Sequence, residues 1–228
     1  MKSAADESIK RRCGAHTQYR TADGTRVPGV TTITGVMDKP ALVRWANLQG
    51  LAGVDTTKYV DETAKIGTLA HYLVECRLLE IEPDLSDATP NQLTAAQVCF
   101  QKWLKWEEGV GIKQTDFAMA EAVLVSEKHR FGGTIDIACV LNGKSTLIDV
   151  KTCKGIYGEH KTQVAGGYSI LLEDAGFAVE QVIIVRIGRE ESEGFEQVNI
   201  SDTEIRMHRK RFLLCRELYE CNRMIDRK

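Results

Sequence analysis

Only four prolines punctuate this sequence. It contains no internal repeat, no low-complexity tract and no C-x-x-C pair. No stretch is long enough and apolar enough to span a membrane. Residues 1–12 are charged and lack the apolar centre of a secretion signal, so the chain is expected to stay in the cytoplasm where it is made. Seven scattered cysteines, an odd number, argue against a disulfide framework and read as reduced thiols. A surplus of positive charge is missing too, since the formal net charge is −2. That speaks against a protein that coats nucleic acid by bulk electrostatics. It leaves room for an acidic site that holds divalent cations, because the cations bring their own charge.

What is present fits one globular domain. Hydrophobic residues at 43% and charged residues at 27% supply an ordinary core and surface for 228 residues. Residues 1–16 read as a flexible tail and 17–228 as a single domain. A helical part is expected to about 115, a sheet core over about 116–200 and a C-terminal helix over about 201–225. Asp23-Gly24 signals a hairpin between 18–20 and 25–27. The β-branched, threonine-rich segment 30–36 has no clear state. Pro40 opens a helix to about 48, with Leu42, Trp45, Ala46 and Leu48 as its apolar stripe. Ile66, Leu69, Leu73 and Cys76 recur at spacings of three and four and predict a helix over 61–79. Another is expected over 94–109. Strands follow at 117–125, 133–140 and 146–151, then a helix at 159–174 and strands at 181–187 and 195–200. Ser201 and Glu204 fit a capping box ahead of the last helix. The expected fold class is α/β, a mixed sheet with helices on both faces.

The most informative stretch is 133–151. Asn142-Gly143 is the preferred centre of a two-residue hairpin turn and sets Leu141 against Lys144. Stepping back pair by pair brings Asp136 opposite Asp149, with Cβ atoms expected about 4.5–5.5 Å apart. Lys151 shares their face, opposite Thr134. Ile135, Ile137, Cys139, Thr146, Ile148 and Val150 fill the other face, so a slip of one residue would bury both acids. Facing carboxylates repel, and a solvated sheet face is the plain alternative. Yet Ala138, Val140 and Leu147 share the acidic face and call for cover. A cation between the acids removes the repulsion, and magnesium or manganese suits such oxygen ligands.

Gly133-Thr-Ile-Asp136, followed thirteen residues later by Asp149-Val-Lys151, resembles the core of the PD-(D/E)XK nuclease superfamily. The likeness is greatest to its RecB-like exonuclease branch, which includes phage, CRISPR-associated and mitochondrial genome maintenance exonucleases. Gly67-Thr-Leu-Ala-His71 resembles that branch's upstream histidine motif, and Glu121 sits where the branch often has an acid. Gln163-Val-Ala-Gly-Gly-Tyr168 resembles its Q-x-x-x-x-Y motif. Val27-Pro-Gly-Val-Thr-Thr-Ile, Lys39-Pro and Trp45 are similar to the phage and mitochondrial members. The resemblance covers roughly residues 17–187. Each fragment is weak alone, and the ordered set is specific.

The resemblance implies a restriction-endonuclease-like core and metal-dependent hydrolysis of DNA. The implied activity is exonucleolytic, on single strands or free ends, in phage-type recombination, repair or replication. Asp136, Asp149 and Lys151 would be catalytic. His71, Asp136, Asp149, the Val150 carbonyl and Glu121 would hold magnesium or manganese, as two ions in the family pattern. Gln163 and Tyr168 would shape the site or contact DNA, with Lys154 and Lys161 as further phosphate contacts. Glu75, one turn from His71, reads as a solvated carboxylate, and Arg186 and the basic cluster 206–211 as solvated surface. Several RecB-like exonucleases hold an iron–sulfur cluster through one upstream and three C-terminal cysteines. Cys13, Cys215 and Cys221 match three of those positions and Phe212 occupies the fourth. Four thiolates are the usual requirement, so no cluster is expected. Three alternatives stand beside the exonuclease: a flap- or structure-specific endonuclease, a non-catalytic nucleic-acid-binding module on the same fold, and a metalloenzyme acting on a small phosphate ester.

Overall fold

The computed structural model describes residues 17–113 and 116–226. The expected tail and Cys13 lie outside the described residues. Local signals set the first elements. Strands β1 (Tyr19–Arg20) and β2 (Arg26–Val27) pair across the Asp23-Gly24 turn, where Gly24 takes a φ of 81°. The threonine-rich segment forms a short helix, α1 (Val30–Thr34). Helices α2 (Pro40–Leu51), α3 (Thr56–Leu79) and α4 (Pro90–Val110) follow. The Asp55 carboxylate accepts the amides of Thr57 and Lys58 to start α3. Thr89 and Gln92 form a capping box ahead of α4, with Pro90 in its first turn. Both helices therefore begin earlier than apolar spacing alone predicts, because the caps lie outside the apolar repeat.

Strands β3 (Phe117–Ser126), β4 (Phe131–Leu141) and β5 (Lys144–Lys151) come next. A continuous helix is built from α5 (Gly158–Lys161), a π-helical stretch (Thr162–Tyr168) and α6 (Ser169–Asp174). Strands β6 (Gln181–Ile187) and β7 (Phe195–Ile200) precede α7 (Asp202–Ile225), which opens on the Ser201–Glu204 capping box. The sheet order is β3-β4-β5-β6-β7, antiparallel except for the parallel β5–β6 pair. This is the mixed α/β architecture that the sequence predicts.

Two apolar layers sandwich the sheet. On one side α3 and α4 bring Leu73, Trp103 and Trp106 onto Ile137, Ile148, Val150 and Val185. On the other, α1, the π-helical stretch, α6 and α7 bring Val30, Leu171 and Phe212 onto Ile135, Leu147 and Ile184. Gly166 and Gly167 make that second layer possible. A Cβ on Gly166 would come 2.6 Å from the His208 carbonyl oxygen, and one on Gly167 would come 2.6 Å from Val30.

Helix α2 departs from expectation. None of its residues is buried, and Leu42 and Leu48 are 51% and 59% exposed. Trp45 instead stacks at a tilt on Tyr59 of α3, ring centroids 5.7 Å apart. Helical spacing reveals an apolar stripe but not whether the body of the protein reaches it.

Candidate metal centre and active site

The central hairpin keeps the register written in its turn. Asn142 and Gly143 take φ of 52° and 76°, Leu141 faces Lys144, and pairing runs to Ile137 opposite Ile148. There the ladder stops. The Val150 amide donates to Asp136 Oδ2 at 2.8 Å, and no ladder pair forms between Asp136 and Asp149. The strands part at the two aspartates.

On the far side of β4, Glu121 falls in a gap between the pairs Ala120–Ile137 and Ala122–Ile135. It adopts a left-handed φ of 46°, which costs a non-glycine residue roughly 1–3 kcal/mol. Alternation inverts across this point. Ala120 and Ile137 pack in the α3–α4 layer, whereas Ala122 and Ile135 pack in the opposite one. Ile135 and Ile137 therefore do not share a face, contrary to the period-two expectation, which assumes an unbroken strand.

Helix α3 supplies His71. One turn earlier, a Cβ on Gly67 would sit 2.9 Å from Thr152 Oγ1, so the bare glycine lets α3 cross close to the end of β5. His71 Nδ1 lies 3.5 Å from Asp136 Oδ2 and 3.8 Å from Glu121 Oε1. One ligand atom from each of these three residues lies within 4.8 Å of the other two. Ligand bonds of about 2.0–2.6 Å to one cation span gaps of that order. Asp149 does not join that trio. Its carboxylate, 1% exposed, faces Lys151, whose Nζ is 2.7 Å from Oδ2.

Charge is crowded here. Burial opposes charge on His71, but Asp136 and Glu121 outweigh it and hold the imidazolium's pKa up to about 9. Burial raises Asp136, with His71 opposing and Glu121 reinforcing. Asp149 is pushed up to about 6 by burial, with Lys151 opposing and Asp136 adding. Burial likewise opposes charge on Lys151, yet the two aspartates keep its ammonium raised. Despite the close lysine, neither Asp149 oxygen meets a well-directed hydrogen bond. Crowded acids with under-satisfied buried oxygens fit a hard divalent cation, which takes oxygen ligands and offsets their repulsion.

Gln163 and Tyr168 are brought together by the π-helical winding. Five residues apart, they would diverge on an α-helix. Here Gln163 Nε2 donates to the Tyr168 hydroxyl at 2.7 Å, both residues being buried. Burial, then the charges of Asp149 and Asp136, push the phenol well above its usual range, and its ring lies against β4, where a Cβ on Gly133 would meet it at 2.9 Å. The basic candidates are dispersed. Lys154 is exposed, while Lys161 pairs with Glu204 at 3.3 Å, Arg186 with Glu196 at 3.2 Å and Arg209 with Glu173 at 2.6 Å. Glu75 is 6% exposed and so not solvated, because α3 is enclosed on all sides from Tyr72 to Cys76. Cys215 packs in the core beside Phe212, and Cys221 is exposed.

One contributor escaped the sequence reading. The Tyr19 hydroxyl lies 3.2 Å from Thr134 Oγ1, and a Cβ on Gly132 would meet the Tyr19 side chain at 2.4 Å. The N-terminal hairpin thus straps β4 two residues before Asp136. No local motif around Tyr19 announces that contact, which spans 115 residues. Among the described residues no helix is long and apolar enough to cross a membrane.

No protein-family model matches the chain, and no curated protein matches it. Solved structures align with it over most of its length, at low similarity. A crystal structure of LHK-Exo in complex with dAMP gives a TM-score of 0.40 at 11% identity, over 86% of this chain and 89% of that one. The crystal structure of SSO0001 gives 0.39 at 15% identity, over 92% and 83%. An alkaline exonuclease, LHK-Exo from Laribacter hongkongensis, gives 0.39 at 12% identity, over 97% of each chain. At this distance the likenesses assign no role to any residue.

Proposed function

We propose that this chain is a divalent-metal-dependent deoxyribonuclease that works exonucleolytically on single-stranded DNA or free ends. The observation that carries the reading is the convergence of His71, Glu121 and Asp136 beside the Asp149–Lys151 pair, where β4 and β5 part. Phosphodiester hydrolysis needs an oriented water, an anchored phosphate and positive charge where negative charge develops. His71, Glu121, Asp136, Asp149 and the Val150 carbonyl would hold magnesium or manganese, as two ions in the family pattern. Bound there, such a metal would supply a water of lowered pKa and positive charge for the phosphate.

The chain's own groups do the rest. Asp149 holds the Lys151 ammonium at 2.7 Å, poised to orient the attacking water and to offset charge on the scissile group. The Val150 amide fixes Asp136. Gln163 fixes the Tyr168 hydroxyl as a wall of the site. Lys154, exposed after β5, would meet a backbone phosphate of the bound strand, while Lys161 would have to leave Glu204 to do so. A part in phage-type recombination, repair or replication follows from the sequence resemblance.

The test is digestion of end-labelled single- and double-stranded DNA, linear and circular, with magnesium, manganese or chelator. Small products released from linear DNA only, and lost with chelator, support the reading. Cutting of circles would make the enzyme an endonuclease. DNA binding without cleavage in either metal would leave a non-catalytic module.

A further inference from the structure

Helix α7 has 24 residues, about 36 Å of helix, and two apolar stripes. Ile205, Phe212 and Cys215 are buried in the domain. Past Cys215 no residue of the helix is buried. The second stripe faces solvent. Met207, Leu214, Leu218 and Ile225 are 63%, 55%, 49% and 65% exposed, and Cys221 is exposed as well. With Arg211 they recur at alternating spacings of four and three, the seam of a coiled coil. The seam lies on a different flank of α7 from Phe212 and Cys215, so covering it disturbs nothing in the core.

We infer that this seam is a homodimer interface in which α7 packs antiparallel against α7 of a second copy. Charge decides both the occupant and the direction. In a parallel pair, Arg211 would meet the partner's Arg211 in a desolvated seam, an uncompensated repulsion. Antiparallel packing that sets Leu214 against the partner's Leu218 also sets Met207 against the partner's Ile225. It places Arg211 opposite the partner's Cys221, within about one helical turn of the partner's Glu217. Arg211 and Glu217 are both exposed and join no ion pair among the described residues; Arg211 Nη1, which a Cβ on Gly158 would meet at 3.9 Å, would swing off α5 to meet the partner. The pattern is complementary to itself under a two-fold axis, as a closed dimer requires.

Sedimentation of the full chain at micromolar concentrations tests this. The parent should be a dimer. Leu218→Glu should weaken it about a hundredfold or more with unchanged circular dichroism. Arg211→Glu should weaken it too, and adding Glu217→Arg should restore it. Under mild oxidation with diamide, Arg211→Cys should give a disulfide-linked dimer that disappears when Cys221→Ser is added. The parent should not, because an antiparallel pair holds its two Cys221 residues about 15 Å apart along the axis. A monomeric parent, a dimer indifferent to Leu218→Glu, or a Cys221–Cys221 disulfide in the parent would each overturn the proposal. A monomer that loses DNA affinity on Leu218→Glu would give the face to substrate, and that too overturns it.

Discussion

Asp136 accepts the amide proton of Val150 through the same Oδ2 that lies 3.5 Å from His71 Nδ1. A backbone ladder bond is exchanged for a side-chain one, so this carboxylate belongs to the fold as well as to the site. Asp136→Asn keeps an acceptor for Val150 and removes the charge. It should retain stability while cleavage falls by about 10²-fold or more. Asp136→Ala should in addition lose about 1–3 kcal/mol, because the amide is left unmet. Urea unfolding of both variants decides, and equal stabilities would sink the structural role.

Lys151 separates turnover from binding. Lys151→Ala should lower single-turnover cleavage by on the order of 10²–10⁴-fold. DNA affinity in calcium should change far less, since one phosphate contact is a small part of a multi-contact groove. Turnover within a few-fold of the parent would show that Lys151 is not catalytic.

Gly67 tests how α3 delivers His71. Gly67→Ala adds about 1 kcal/mol of helix propensity but drives a methyl to 2.9 Å from Thr152 Oγ1. Cleavage and metal affinity should fall. Thr152→Ala, which removes that oxygen, should restore them in the double variant. Additive losses would mean that the two positions do not meet.

Metal binding should stabilise the fold. At a hundred times the dissociation constant the gain is about 2.7 kcal/mol, readable as a rise in Tm with magnesium or manganese. His71→Ala should shrink that rise and abolish most cleavage. Full activity in excess chelator would defeat the mechanism.

Ser201 offers a control away from the site. Its side chain accepts the Glu204 amide, and the Glu204 carboxylate reaches back to the Ser201 amide. Ser201→Ala should cost about 0.5–2 kcal/mol in urea unfolding. Specific activity of the folded enzyme should not change.

Much of this molecule was legible in the order of its residues. Asn142-Gly143 accepts the left-handed turn, and the turn fixes the register as far as Ile137 opposite Ile148, one residue short of Asp136 and Asp149. β6 was marked by a β-branched run, and the start of α7 by a side chain that caps its own helix. These features are local, settled by atoms a few residues apart.

The rest required the chain to fold. Glu121 turns into a left-handed conformation, Asp136 takes over the Val150 amide, and the faces of Ile135 and Ile137 separate, none of which a periodic pattern encodes. The trio His71, Glu121 and Asp136 is gathered from α3, β3 and β4, and its spacing depends on how closely Gly67 lets α3 approach Thr152. The sequence alone determined which residue types were available and where each strand and turn would form. Tertiary structure decided which of the acids converge on His71 and which pairs with Lys151. Those choices rest on close packing and charge between segments distant in the chain, where no local rule acts.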